Sequence, residues 1–129
     1  MAKLKILIAE DETVTRQLFQ IAFKDEELYE LRLVANGEDA LTAYKAWHPD
    51  IVLLDIMMPN MNGFQTLQVI REVLADRVTT VIMISSVVDK GEIVACAKLG
   101  IQGYIVKPFA GKTLAQTVIN YHRQAKKGG

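Results

Sequence analysis

Four apolar runs in this sequence each end on a side chain that could do chemistry. Ile6–Ala9 leads into Glu10 and Asp11, Ile51–Leu54 into Asp55, Val81–Ile84 into Ser85 and Ser86, and Tyr104–Val106 into Lys107. A short apolar run bounded by polar residues reads as a buried strand, and parallel strands place all their carboxyl ends on one edge of a sheet. Three carboxylates, a pair of hydroxyls and one lysine would then meet from distant parts of the chain. Clustered carboxylates raise one another's pKa unless a cation relieves them. Mg²⁺ is the natural relief, because it takes one or two carboxylates together with waters and phosphate oxygens. Lys107 would add a compact positive charge able to pair with a carboxylate or a phosphate, and Ser85 or Ser86 could donate to a phosphoryl oxygen. Phosphoryl transfer asks mainly for positioning and charge neutralisation. Asp55 is the candidate nucleophile, since a carboxylate can form an aspartyl phosphate.

Each piece taken alone has a plainer reading. Acids after a strand commonly cap the next helix, Ser-Ser is a frequent turn, and a lysine before a proline is a usual surface residue. Asp55 is harder to dismiss, because a carboxylate behind four apolar residues is costly to bury without partners. Agreement at four strand ends favours the chemical reading.

The elements that would position these groups are legible from periodicity. Strands are expected at Leu4–Ala9, Tyr29–Ala35, Ile51–Leu54, Thr79–Ile84 and Tyr104–Val106. Between them lie helical patterns: Thr13–Lys24 with Val14, Leu18, Ile21 and Ala22 at helical spacing, a helix capped by Asn36 and running to about Trp47, and helices over about Gly63–Leu74, Asp89–Leu99 and Leu114–Arg123. His48-Pro49 ends the second helix, and Gly100 is a plausible C-cap for the fourth. Strict alternation of five strands with five helices predicts an α/β fold, a parallel sheet covered on both faces. In such sheets ligands bind beyond the carboxyl ends of the strands, near the point where strand order reverses.

Composition bounds the rest. The 129 residues make one ordinary domain, and half are hydrophobic, so a packed core is expected. We place the domain at residues 1–125, with 126–129 as a C-terminal tail or linker stump. Fifteen basic residues balance fifteen acidic ones, a poor basis for gripping nucleic acid by phosphate neutralisation. Cys96, the one cysteine, fits a reducing compartment and reads as a small core residue rather than a redox switch. The opening apolar run is too short for a signal peptide, and nothing approaches the ~20 apolar residues of a membrane span. A cytoplasmic setting is expected.

Ile6-Leu7-Ile8-Ala9-Glu10-Asp11-Glu12, Val52-Leu53-Leu54-Asp55-Ile56-Met57-Met58-Pro59-Asn60-Met61-Asn62-Gly63, Val81-Ile82-Met83-Ile84-Ser85-Ser86 and Gly103-Tyr104-Ile105-Val106-Lys107-Pro108-Phe109 together resemble the signature of response-regulator receiver domains. They stand in that family's order and at its usual intervals, over essentially the whole chain. The Asp-x-x-Met-Pro-x-x-x-Gly segment with Lys-Pro-Phe downstream is the specific part. The resemblance implies a flavodoxin-like, doubly wound sheet with strand order 2-1-3-4-5, and phosphate donated to Asp55 by a histidine kinase or phosphotransfer protein. It implies Mg²⁺ ligated by Asp11, Asp55 and the backbone carbonyl of Met57, with Glu10 acting through water. Lys107 takes the place of the family's lysine, Ser85 of its switch hydroxyl and Tyr104 of its switch aromatic; Lys107-Pro108 is expected to be cis. Glu-Asp stands where many relatives have Asp-Asp, and serine where threonine is commoner.

On this reading phosphorylation adds roughly two negative charges at the strand edge. Ser85 then moves toward the phosphate and Tyr104 turns into the vacated space, biasing a two-state equilibrium. The expected output surface, for an effector or output domain, is the face of helix 4, strand 5 and helix 5, with homodimerisation as a possibility on that face. Met57 and Val87, two positions after Asp55 and Ser85, are apolar and would admit water poorly, so slow self-dephosphorylation is expected; the plainer reading is that they only pack their loops. Three other readings fit these residues less well. A haloacid-dehalogenase-type phosphatase wants a second acid where Met57 stands. A nucleotide or flavin binder wants a glycine-rich phosphate loop where Glu10-Asp11-Glu12-Thr13 stands. A receiver-shaped module that is never phosphorylated would not need the full set of acids, hydroxyl and lysine.

Overall fold

A computed structural model describes residues 2–86 and 88–128; Val87, one of the two residues expected to flank Asp55, lies outside them. The strands are β1 (Leu4–Ala9), β2 (Tyr29–Val34), β3 (Ile51–Asp55), β4 (Thr80–Ser85) and β5 (Gly103–Val106). They form one parallel sheet in the order 2-1-3-4-5, as the family resemblance implies. Between them run α1 (Thr13–Ala22), α2 (Gly37–Trp47), α3 (Gly63–Gln68), α4 (Lys90–Leu99) and, last, α5 (Gly111–Gly128).

Alternation along each strand sorts the side chains onto two cores. Leu7, Val52, Leu54, Val81 and Met83 face α2, α3 and α4, against Ala40, Trp47, Leu67, Ile70 and Cys96. Ile6, Ile8, Leu53, Ile82 and Ile84 face α1 and α5, against Phe19, Phe23, Leu114 and Val118. Central β3 and β4 are buried along their whole length, whereas edge strand β2 alternates. That is why β3 reads as a continuous apolar run and β2 as a broken one. Asn36 caps α2 by accepting from the Asp39 amide at 2.8 Å. Asp89 caps α4 by accepting from that of Glu92 at 3.1 Å. Each satisfies an amide that the first helical turn leaves unpaired.

The structure departs from the sequence reading in three places. On α1 the stripe Val14, Leu18 and Ile21 faces outward, 69%, 46% and 63% exposed, and Phe19 is the helix's buried residue. The larger aromatic surface of Phe19 and Phe23 takes the inward side, which leaves the aliphatic stripe in water. Helix α5 begins three residues before Leu114 and ends five after Arg123, at Gly128. The third helix is not uniform: after Gln68 it widens into a π-helical stretch, Val69–Val73, closed by the Leu74 amide donating to the Val69 carbonyl at 2.8 Å.

Within that widened stretch Ile70 and Arg71 are both buried, at 1% and 2% exposure. The Arg71 guanidinium donates to the carbonyls of Gly100, Asp76 and Thr79 at 2.8, 2.7 and 2.8 Å and to Gln102 Oε1 at 3.1 Å. Beside it the Asp76 carboxylate accepts from the hydroxyls of Tyr44 and Thr79 and from the amides of Val78 and Thr79. Burial alone would raise the Asp76 pKa, but these donors outweigh it and hold it well below the usual carboxylate range. A depressed carboxylate contributes stability above its unfolded pKa and loses it as pH falls through the folded value. Asp76→Asn should therefore cost about 1–3 kcal/mol at neutral pH. In urea melts the gap to the native chain should close below the ordinary carboxylate range of ~4; a gap constant down to acid pH would contradict this origin.

Candidate functional site

The carboxyl ends of β1, β3, β4 and β5 deliver their polar residues to one place. Glu10 is fully buried and Asp55 nearly so, at 4% exposure, while Asp11 lies at the surface. Carboxylate oxygens of these three all lie within 4.8 Å of one another. From β5, the Lys107 ammonium reaches Glu10 Oε1 at 2.6 Å and Asp55 Oδ2 at 2.9 Å, with Glu12 Oε1 at 4.0 Å. The other oxygens are held by backbone: Glu10 Oε2 accepts from the Glu12 amide at 3.2 Å and Asp55 Oδ1 from the Met57 amide at 3.1 Å. The Lys107–Pro108 peptide is cis, as expected.

Burial pushes the Glu10 carboxyl up to about 7, and the negative Asp55 adds to this against the pull of Lys107. Burial would lower Lys107, but its bonds to Glu10 and Asp55 prevail and hold the ammonium above its ordinary value. Three carboxylates against one ammonium leave a surplus of two negative charges when all are ionised. The donors are all oxygen, the set preferred by hard divalent cations such as Mg²⁺ over softer metals. The residues present therefore fit such an ion.

Ser85, at the end of β4, is fully buried. Its carbonyl accepts from the Lys107 amide at 2.9 Å, which ties the ends of β4 and β5 together. A hydrogen bond joins Ser85 to half-buried Tyr104, whose phenol is raised chiefly by burial while that bond pulls it down. Glu10, Asp11, Asp55, Met57, Ser85 and Lys107 thus lie at this edge, and Tyr104 lies two residues in from it along β5. Met57 presents an exposed side chain, 63% in solvent, beside Asp55. Ser86 is exposed and lines a surface groove of about 280 Å³ with Thr15, Leu18, Lys107, Pro108 and Phe109.

Two positions matter here that the strand-end pattern did not single out. Arg16, on α1, donates to the Glu10 carbonyl at 2.7 Å and to Thr13 Oγ1 at 3.2 Å, bracing the loop that carries Asp11. Nothing in its sequence context marks it apart from any polar helical residue. Gly63 opens α3 directly against the Asp55 backbone, where a Cβ would collide with the Asp55 carbonyl oxygen. Its signal was present, as the glycine of Asp-x-x-Met-Pro-x-x-x-Gly, but its reason was not. The α3 start is fixed further by a reciprocal cap, Asn62 and Gln65 each accepting from the other's amide at 2.8 and 3.0 Å.

Residues 6–119 match the family described as the response regulator receiver domain. Among curated relatives, the probable transcriptional regulator ycf27 of Porphyridium aerugineum is 32% identical over 127 residues, covering 98% of this chain and 51% of that protein. The DNA-binding response regulator MtrA of Mycobacterium leprae is 32% identical over 114 residues, 88% of this chain and 49% of that protein. This chain thus spans about half the length of the curated relatives it matches. Among solved structures, the chemotaxis protein CheY4 of Vibrio cholerae superposes with a TM-score of 0.84 at 27% identity, over 93% of this chain and 99% of that one. Site geometry, strand order and sequence match agree: the chain belongs to the response regulator receiver domain family.

Proposed function

We propose that Asp55 is the residue on which this receiver domain accepts its phosphoryl group, from a histidine kinase or phosphotransfer protein. The observation that carries this is the Lys107 ammonium held between Asp55 and Glu10 inside a buried acidic cluster. Asp11 and Asp55 would hold Mg²⁺ with the Met57 carbonyl, Glu10 acting through water. Bound there, the ion supplies charge neutralisation and alignment of the phosphoryl oxygens.

The chain's own residues do the rest. An Asp55 carboxylate oxygen attacks phosphorus; the O–P bond forms as the P–N bond to the donor imidazole breaks and the imidazole takes up a proton. Lys107 reaches Asp55 already, so its ammonium stands ready beside any phosphoryl oxygen placed there. The Ser85 hydroxyl turns from Tyr104 to the phosphate and Tyr104 follows inward, which biases the α4–β5–α5 face between two arrangements. That face exposes Val94 and Val106 toward an effector or output domain. The outward stripe of α1, Val14, Leu18 and Ile21, of which Leu18 lines the groove at Lys107, suits an apolar helix of the phosphoryl donor.

Radiolabelled acetyl phosphate should label the native chain in Mg²⁺, with label lost on adding a chelator and in Asp55→Asn; label retained by Asp55→Asn would overturn the assignment. The exposed, apolar Met57 should slow water's attack on the phosphoryl group. Met57→Asn should therefore speed phosphate loss by about threefold or more, about 0.65 kcal/mol of barrier, and an unchanged decay rate would leave Met57 as loop packing alone. Ile21→Asp should slow transfer from a phosphorylated histidine phosphotransfer domain by about tenfold, about 1.4 kcal/mol, with acetyl phosphate labelling unchanged. Equal losses with both donors would remove α1 as the docking helix.

A further inference from the structure

Helix α4 is fastened at one end. Its first turn is exposed through Lys90, Gly91 and Glu92, and Val88 before it is 65% exposed. Its one fully buried residue, Cys96, lies in its carboxyl half. The helix then ends at Gly100, at φ +106°, whose amide bonds back to the Cys96 and Ala97 carbonyls at 3.0 and 3.1 Å. The Gly100 carbonyl accepts from Arg71 Nε at 2.8 Å. The same guanidinium holds the Thr79 carbonyl just before β4, and Gln102 Oε1 just before β5. Gln102 Oε1 also accepts from the Val81 amide at 2.7 Å, and the Gln102 amide donates to the Val81 carbonyl at 2.8 Å. One buried cation thus ties the end of α4, the entry to β5 and the entry to β4 to the third helix. All of this lies at the sheet edge opposite Asp55.

We propose that Arg71 is a pin, so that phosphorylation at the Asp55 edge swings α4 about Gly100 rather than displacing it whole. The inference rests on the phospho-acceptor reading for its trigger and on the Arg71 contacts for its geometry. A planar guanidinium held by carbonyls at several angles resists translation of any of them, and their burial leaves no water to replace a lost bond. Among the described residues, the exposed first turn of α4, next to the Ser85 end of β4, has no such hold. Movement of the β4–α4 loop therefore meets little resistance at residues 88–95 and a fixed point beyond Cys96. The Arg71 donors, unlike those of Lys107, take no part in the phosphoryl site and remain engaged in both arrangements.

Amide hydrogen exchange on the full chain, with and without Mg²⁺ and beryllofluoride, tests this. Exchange should change at residues 88–95 and stay within about twofold at 97–104. In Arg71→Lys, which keeps the charge and loses the fork, resting exchange at 97–104 should rise by about tenfold or more, and the beryllofluoride response should spread into that segment. A native response that runs through 97–104, or an Arg71→Lys chain as protected there as the native one, would overturn the pin. Should Arg71→Lys not fold, the native pattern decides by itself. Should beryllofluoride change nothing, the phospho-acceptor reading fails instead, and resting exchange in the variant decides whether Arg71 holds the end of α4.

Discussion

The Lys107 ammonium is shared by Glu10 at 2.6 Å and Asp55 at 2.9 Å, and through it the ends of β5, β1 and β3 meet at one point. Its surroundings make that contact consequential. Glu10 is fully buried, and a buried carboxylate that loses its partner leaves an uncompensated charge, a penalty of about 3–5 kcal/mol. One cation cannot neutralise three acids, so the edge stays short of positive charge even when the pair is formed. The same imbalance that makes the edge costly as structure fits it to a divalent cation. Glu10, from the end of β1, carries its carboxylate to the Lys107 ammonium while Asp11 stays at the rim.

Structural support lies at both edges of the sheet. At the carboxyl edge the loops are held by charge and by close backbone approach, with Gly63 seated on the Asp55 carbonyl and Arg16 on that of Glu10. At the amino edge Arg71, Asp76 and Tyr44 form a buried polar knot that joins α2, the third helix and the entries to β4 and β5. Between them lie two apolar layers, with β3 and β4 buried on both faces. A rigid middle with one chemically active edge and one braced edge suits a domain that passes a local charge change to a distant surface.

Much of this was legible in the residues. The parallel sheet and the gathering of the site followed from apolar runs ending on Glu10, Asp55, Ser85 and Lys107, because parallel strands impose one edge whatever the loops do, while the strand order came from the family resemblance. What escaped was decided by packing. Val14, Leu18 and Ile21 have helical spacing, yet Phe19 and Phe23 offer a second stripe with more surface to bury, and periodicity alone does not rank two stripes. Arg71 in sequence is an ordinary helical arginine between Ile70 and Glu72. Its burial depends on acceptors from residues 76, 79, 100 and 102, whose convergence exists only in the fold. The limits of α5 escaped because Gly111 and Gly128 are poor helix formers in isolation, and its ends carry no apolar pattern, with Gly111, Lys112, Thr113, Lys126 and Lys127 all exposed.

The π-helical stretch at Val69–Val73 turns chain length into geometry. An ordinary helix advances roughly 100° per residue, and a π-helical stretch with its i→i+5 bonds is underwound, so it turns the residues beyond it away from the angle an unbroken α-helix would give them. The five residues from Val69 to Val73 therefore act as a phase shifter between the half of the third helix seated on Asp55 and the half that carries the guanidinium. Related chains that differ by a single insertion or deletion in this stretch would keep the first half in place and rotate the second. Alignment by sequence would then register one gap, while the two edges of the sheet would have lost their common angular reference.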